Sequence, residues 1–125
     1  MIDIELLTLH CIGIGQCCAY EFALQGCQKL FLMDLSRSKL EETKAMIEND
    51  GLHPQVKMYE GSVSDEASVK GMIDHCVEVY GRLDIACNNA GVSGVSARTS
   101  EASVKDYDFV CSVNERGVSY HERAI

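Results

Sequence analysis

The chain has a single proline, Pro54, and no repeat, low-complexity stretch or linker, which excludes a multi-segment tether and fits one globular α/β unit. No apolar run approaches the ~20 residues that a membrane-spanning helix needs. The segment Met1-Ile2-Asp3-Ile4-Glu5-Leu6-Leu7 lacks a basic start and a small-residue cleavage site, so it does not read as a secretory signal. Positive charge is scarce: 11 Lys and Arg against 19 Asp and Glu give a net charge of −8, and nothing would neutralise a nucleic-acid backbone. The carboxylates are scattered along expected helices rather than gathered in a block, so they read as solvated faces. A Cys-x-x-Cys pair is missing as well. The seven cysteines (Cys11, Cys17, Cys18, Cys27, Cys76, Cys87 and Cys111) read as reduced, apolar packing residues in a cytoplasmic setting. A metal set drawn from His10, Cys11, Cys17 and Cys18 is disfavoured because the adjacent Cys17 and Cys18 point in different directions on a helix, and no metal is expected.

What is present is a regular alternation of strand-like and helix-like segments from end to end. Strands are expected at about Ile4 to Thr8, Lys29 to Met33, Gln55 to Tyr59 and Leu83 to Cys87. A first helix runs from Gly15 to Gln25 with Cys18, Phe22 and Leu24 as apolar contacts, and Gly26 ends it. Ser36 fits the N-cap of a second, with Leu40, Met46 and Ile47 inward and Gly51 at its end. The third is the clearest: Val69, Met72, Ile73, Cys76, Val77 and Tyr80 recur at helical spacing, with Asp65 at the start and Gly81 closing it. A last helix is expected from about Val104 onward, broken near Cys111. Right-handed crossovers put the strands in the order 3-2-1-4, a parallel sheet with helices on both faces, in which strand 4 is a bare edge apart from Asp84. We expect residues 1–125 to form a single, incomplete domain of this kind.

Three marks carry chemistry. Gly13-Ile14-Gly15 opens the first helix, where backbone amides and the helix dipole suit a pyrophosphate; by itself such a pair is more often a close-packing device. Asp34 ends strand 2, where a carboxylate can accept hydrogen bonds from both ribose hydroxyls of an adenosine and repel a 2′-phosphate. The other reading of Asp34 is a charge complementing the dipole of the next helix. Asn88-Asn89-Ala90-Gly91 closes strand 4, and Asn114-Glu115-Arg116-Gly117 lies a helix further on.

In this order and register the marks resemble the N-terminal half of a short-chain dehydrogenase/reductase, a nicotinamide-dependent Rossmann enzyme. The resemblance covers about Gly13 to Tyr120. It implies that Gly13, Ile14 and Gly15 meet the pyrophosphate, Asp34 the ribose, Ser62 and Val63 the adenine, and Asn89, Ala90 and Gly91 the nicotinamide ribose. Ser62 stands where relatives usually carry a carboxylate, and Leu9 stands where the family's loop has its first glycine. NAD is the expected cofactor, with NADP admitted by Arg37. Asn114 matches an asparagine that serves a proton relay in complete enzymes.

The family's serine and Tyr-x-x-x-Lys are absent from these residues: the five tyrosines are followed four positions later by Leu24, Val63, Asp84, Cys111 and Ala124. His75, His121 and Tyr107 read as surface or packing residues rather than substitutes. By resemblance the function is NAD(P)-dependent oxidation and reduction of a small-molecule alcohol or carbonyl, expected to be inactive in this chain alone, as for a truncated or mis-spliced family member. The alternatives are a non-catalytic nucleotide-binding remnant, or an interaction partner that docks its strand 4 edge on a full-length relative. A chain that does not fold stably is the third.

Overall fold

The computed structural model describes residues 5–9, as strand backbone, and 13–124. The elements run β1 (Glu5–Leu9), α1 (Ile14–Leu24), β2 (Lys29–Asp34), α2 (Arg37–Asn49), β3 (Gln55–Glu60), α3 (Glu66–Tyr80), β4 (Ile85–Cys87), α4 (Val104–Cys111), a π-helical turn (Ser112–Arg116) and α5 (Gly117–Ala124). The four strands form one sheet in the order β3-β2-β1-β4, all pairs parallel, as the alternation predicts. Leu9 is the last residue of β1, opposite Met33, one residue beyond the expected end.

Strand β2 explains the layering. Successive side chains of a strand point to opposite faces, and here both faces are buried: Leu30 and Leu32 join Ala19, Ala23, Leu40 and Ile47 beneath α1 and α2. Phe31 and Met33 join Val69, Met72, Ile73, Cys76 and Tyr80 beneath α3, where α5 adds Tyr120 and Ala124. Tyr80 ties the second layer to the sheet through its hydroxyl, which donates to the carbonyl oxygens of Gln55, at 2.7 Å, and Leu30, at 3.2 Å.

The helix ends follow local chemistry. Asp65 caps α3 by accepting from the Ala67 amide, and Gly81 closes it in the left-handed region that a side chain would strain. Ser36 has the extended backbone of an N-cap, and its carbonyl accepts the Lys39 and Leu40 amides.

Three inward assignments need correction. Leu24 is 51% exposed and Val77 43% exposed, whereas the buried stripe of α1 is Gly15, Ala19 and Ala23. In α2 the middle buried position is Thr43, with Met46 only half-buried. Each expected residue lies at the flank of its stripe, one position away from the contact line set by the sheet. The break expected near Cys111 is the π-helical turn that starts at Ser112. The start of strand 1 at Ile4, and the cluster of His10 and Cys11 with Cys17 and Cys18, fall outside the described residues; among the described residues no group of three potential metal ligands occurs.

His121 is fully buried against α3, and neither ring nitrogen has a hydrogen-bond partner. Burial pushes its imidazole down to about 4 from an ordinary 6.5. A folded-state value below the unfolded one means that the folded chain resists the proton. Stability is therefore full above pH 6.5 and falls as the pH drops toward 4, by up to about 3 kcal/mol. Urea denaturation of the wild type across that window should show this decline, and His121→Leu should flatten it. Tyr80→Phe should lower stability by about 1 kcal/mol at unchanged denaturant slope, since two carbonyls lose one donor.

Candidate functional site

Parallel pairing brings the carboxyl ends of β1, β2 and β4 to one edge of the sheet: Leu9 lies opposite Met33, and Cys87 opposite Thr8. The loops that leave this edge frame a cleft of about 100 Å3. Asp34, Ser62, Val63, Ala90 and Gly91 line it together. Five of the expected site residues, separated by up to 57 positions in the chain, thus meet at one place.

Asp34 is 4% exposed, and its Oδ1 accepts the Ser36 amide at 2.8 Å. That bond holds the carboxylate at the strand end, above the first turn of α2. It also supports the reading of Asp34 as a helix-start charge, and the two roles are compatible because a carboxylate has several acceptor positions. The Asp34 carbonyl accepts the Gly61 amide at 3.0 Å, which fixes the start of the next loop beside it. In that loop the Ser62 hydroxyl is 2.8 Å from the Ser64 hydroxyl and accepts the Ser64 amide, while the Ser62 amide donates to Ser68 Oγ. Ser62 is therefore held on the cleft wall by an internal network. A Cβ on Gly61 would overlap Ser68 Oγ, so the loop needs glycine there.

Across the cleft, a Cβ added at Gly91 would stand in ordinary contact with Asn114 Oδ1, at 3.6 Å. Ala90 packs against the β2–α3 layer and so anchors the segment from behind. Asn114 grips the residue after Gly91 with both ends of its amide: Oδ1 accepts the Val92 amide at 2.8 Å, and Nδ2 donates to the Val92 carbonyl at 2.9 Å. It stands in the middle of the π-helical turn, a geometry that widens the helix and redirects side chains.

Gly13, Ile14 and Gly15 lie at the start of α1, not on the cleft wall. Gly13 has φ of 61° and its carbonyl accepts the Cys17 amide, Ile14 is 73% exposed, and Gly15 is buried. Asn89 is half-buried and also off that wall. The apolar part of the wall was not foreseen: Phe109 and Val113, one helical turn apart, and Leu35 complete it. The i, i+4 spacing of Phe109 and Val113 just after the Asn-Asn-Ala-Gly loop was the available signal.

No tyrosine here is prepared for proton transfer. Tyr107 is exposed, and its phenol is pushed up by its hydrogen bond to Cys111 and by the charge there. Tyr20 is pushed up by its hydrogen bond to Asp50. His75 is half-exposed, edge-on to Phe31 and 3.5 Å from Glu78.

The family model for short chain dehydrogenases matches residues 5–125. Levodione reductase of Leifsonia aquatica is 35% identical over 115 residues, covering 92% of this chain and 43% of that protein. The crystal structure of levodione reductase superposes with a TM-score of 0.93 at 31% identity, over 98% of this chain and 48% of that one. The structure of NAD+-bound xylitol dehydrogenase gives 0.90 at 27% identity, over 98% and 46%. The chain thus spans less than half the length of these relatives. With the sheet order and the framing loops, the match establishes that this chain belongs to the short-chain dehydrogenase family.

Proposed function

We propose that these residues bind a nicotinamide dinucleotide and present it for hydride exchange with an alcohol or carbonyl compound, and that they do so without supplying the proton donor. The observation that carries this is the cleft uniting Asp34, Ser62, Val63, Ala90 and Gly91 at the carboxyl edge of the sheet. A parallel sheet binds ligands outside that edge. Bound nicotinamide supplies the hydride chemistry; the protein supplies position.

Each residue has a distinct task. Asp34, buried and oriented by the Ser36 amide, accepts from the adenosine ribose, and its charge favours NAD over a 2′-phosphorylated cofactor. The Ser62 hydroxyl and the Val63 backbone meet the adenine. Gly13 and the amides of Ile14 and Gly15 take the pyrophosphate at the head of α1, where the helix dipole favours anions. Asn89, Ala90 and Gly91 leave room for the second ribose; structural relatives are known with NAD+ and with NADP, so the preference rests on Asp34.

Asn114 is assigned a positioning role. Its double bond to Val92 sets the path of the loop beyond Gly91, and the relay role implied by the family resemblance would use the same amide. A phenol near pH 7 needs a neighbouring cation to lower its pKa, and no tyrosine here has a lysine one turn on. A second reading, binding without turnover, rests on that same observation. Mixing the chain with a relative's catalytic half separates the two: turnover that appears only in the mixture favours the first.

Calorimetric titration should show saturable binding, tighter for NAD than for NADP. Asp34→Ala should weaken NAD by about tenfold, or ~1.4 kcal/mol, and narrow the preference. A folded chain that binds neither dinucleotide would remove the proposal. Asn114→Ala should cost about 1–2 kcal/mol and speed amide exchange at Val92, read by mass spectrometry of the peptide that carries it.

A further inference from the structure

Helix α4 contributes no buried residue to the core, yet one of its aromatic side chains faces the cleft. Phe109 lines the wall while 55% exposed, and it also borders the more open depression beside Val92 to Val95. Leu35, from the connection between β2 and α2, lines the same wall and is 68% exposed. Neither belongs to the two core clusters. Large apolar side chains left open on a concave site are surface that a bound group can cover.

The backbone beneath Phe109 is held on three sides. Val113, one turn on, lines the cleft with it, Asn114 grips Val92 with both ends of its amide, and the Ser112 hydroxyl donates to the Phe109 carbonyl at 2.7 Å. A wall set in advance loses little freedom when a ligand arrives. The hydrogen-bonding capacity of Ser62 is by contrast mostly engaged. A hydroxyl has one donor and two acceptor positions; that of Ser62 accepts the Ser64 amide at 3.2 Å and pairs with Ser64 Oγ at 2.8 Å, which leaves one for a ligand.

We propose that Phe109 is the base-stacking residue of this cleft: its ring covers one face of the adenine of a bound dinucleotide, and the base is held more by its faces than by its edge. This assignment rests on the proposed dinucleotide binding, in which Asp34 takes the adenosine ribose. A base one glycosidic bond from that ribose stays within the cleft that Asp34, Leu35, Ser62 and Phe109 share. Stacking of a base on an aromatic ring raises affinity by roughly tenfold to a hundredfold and is indifferent to the pattern of donors and acceptors on the base.

Calorimetric titration of the whole chain with NAD, ADP-ribose and nicotinamide mononucleotide separates the two halves of the cofactor. Phe109→Ala should weaken NAD and ADP-ribose by about tenfold and leave nicotinamide mononucleotide unchanged, a split that a general loosening of the fold would not produce. Phe109→Trp should keep the affinity. The chain has no tryptophan, so this variant carries a single indole, whose fluorescence NAD and ADP-ribose should quench on binding. Nicotinamide hypoxanthine dinucleotide, which changes the edge of the base and keeps its face, should lose less affinity on the wild type than NAD loses on Phe109→Ala. Three results would overturn the proposal: NAD binding indifferent to Phe109→Ala, an indole at that position left unquenched by saturating NAD, or a hypoxanthine penalty larger than the Phe109→Ala loss. A folded wild type that binds no dinucleotide would instead remove the proposed function, and the stacking role with it.

Discussion

The double burial of β2 is the constraint from which the rest follows. Six residues must satisfy two apolar layers at once, so Leu30 and Leu32 face one and Phe31 and Met33 the other, all essentially inaccessible. A strand buried on both faces cannot slip by one residue without exchanging its layers, so the register with β1 and β3 is locked. That lock fixes where β2 ends. Its final residue, Asp34, is the one polar side chain of the strand's buried run, and it emerges where the apolar layers stop and the loops begin. A buried carboxylate is tolerated only with partners, and the Ser36 amide is one of them.

The two sides of the cleft are stiffened by different means. On one side the Ser62, Ser64 and Ser68 network holds a short loop between β3 and α3, and Gly61 permits its close passage. On the opposite side the loop after β4 is long, and a single side chain from a distant helix holds it. The π-helical turn gives Asn114 the position from which both its carbonyl and its amide reach Val92. Gly117, at the end of that turn, has only 3.1 Å between an added Cβ and the Val63 carbonyl. The helix therefore lies close to the β3–α3 loop as well, and one segment supports both rims.

Most of the architecture was legible because it is written in local periodicity. The α3 spacing, the Asp65 cap and Gly81 give that helix almost residue for residue, and the strand order follows from handedness. The failures share one cause. Leu24, Val77 and Met46 are apolar residues at the edges of helical stripes, and whether an edge position is covered depends on how the helix crosses the sheet, which no local pattern encodes. Thr43 was overlooked because it is polar, yet it is buried with its hydroxyl donating to the Lys39 carbonyl. The cleft shows the same division. Its motif members announce themselves in the sequence, whereas Phe109, Val113 and Leu35 are ordinary apolar residues that matter only because the α4–π-helical segment and the β2–α2 connection meet at one wall.

The seat of α1 shows how small residues place a binding element. Its buried stripe is Gly15, Ala19 and Ala23, which carry little side-chain bulk, so the helix backbone rests close to the sheet. Small side chains also bury little apolar area, and at about 25 cal/mol per Å2 they hold a helix weakly compared with leucine or phenylalanine. The remaining attachment comes from the flanks: Gln16 and Tyr20 toward α2, and Phe22 on the core cluster that Ile85 and Cys87 also join. Close approach is what lets the positive end of a helix act on a phosphate at the sheet edge, since the effect fades within the first turn. The glycine at the head of α1 and the small residues along it are therefore parts of one arrangement, in which the helix is brought near by what its inner face lacks and kept there by its sides.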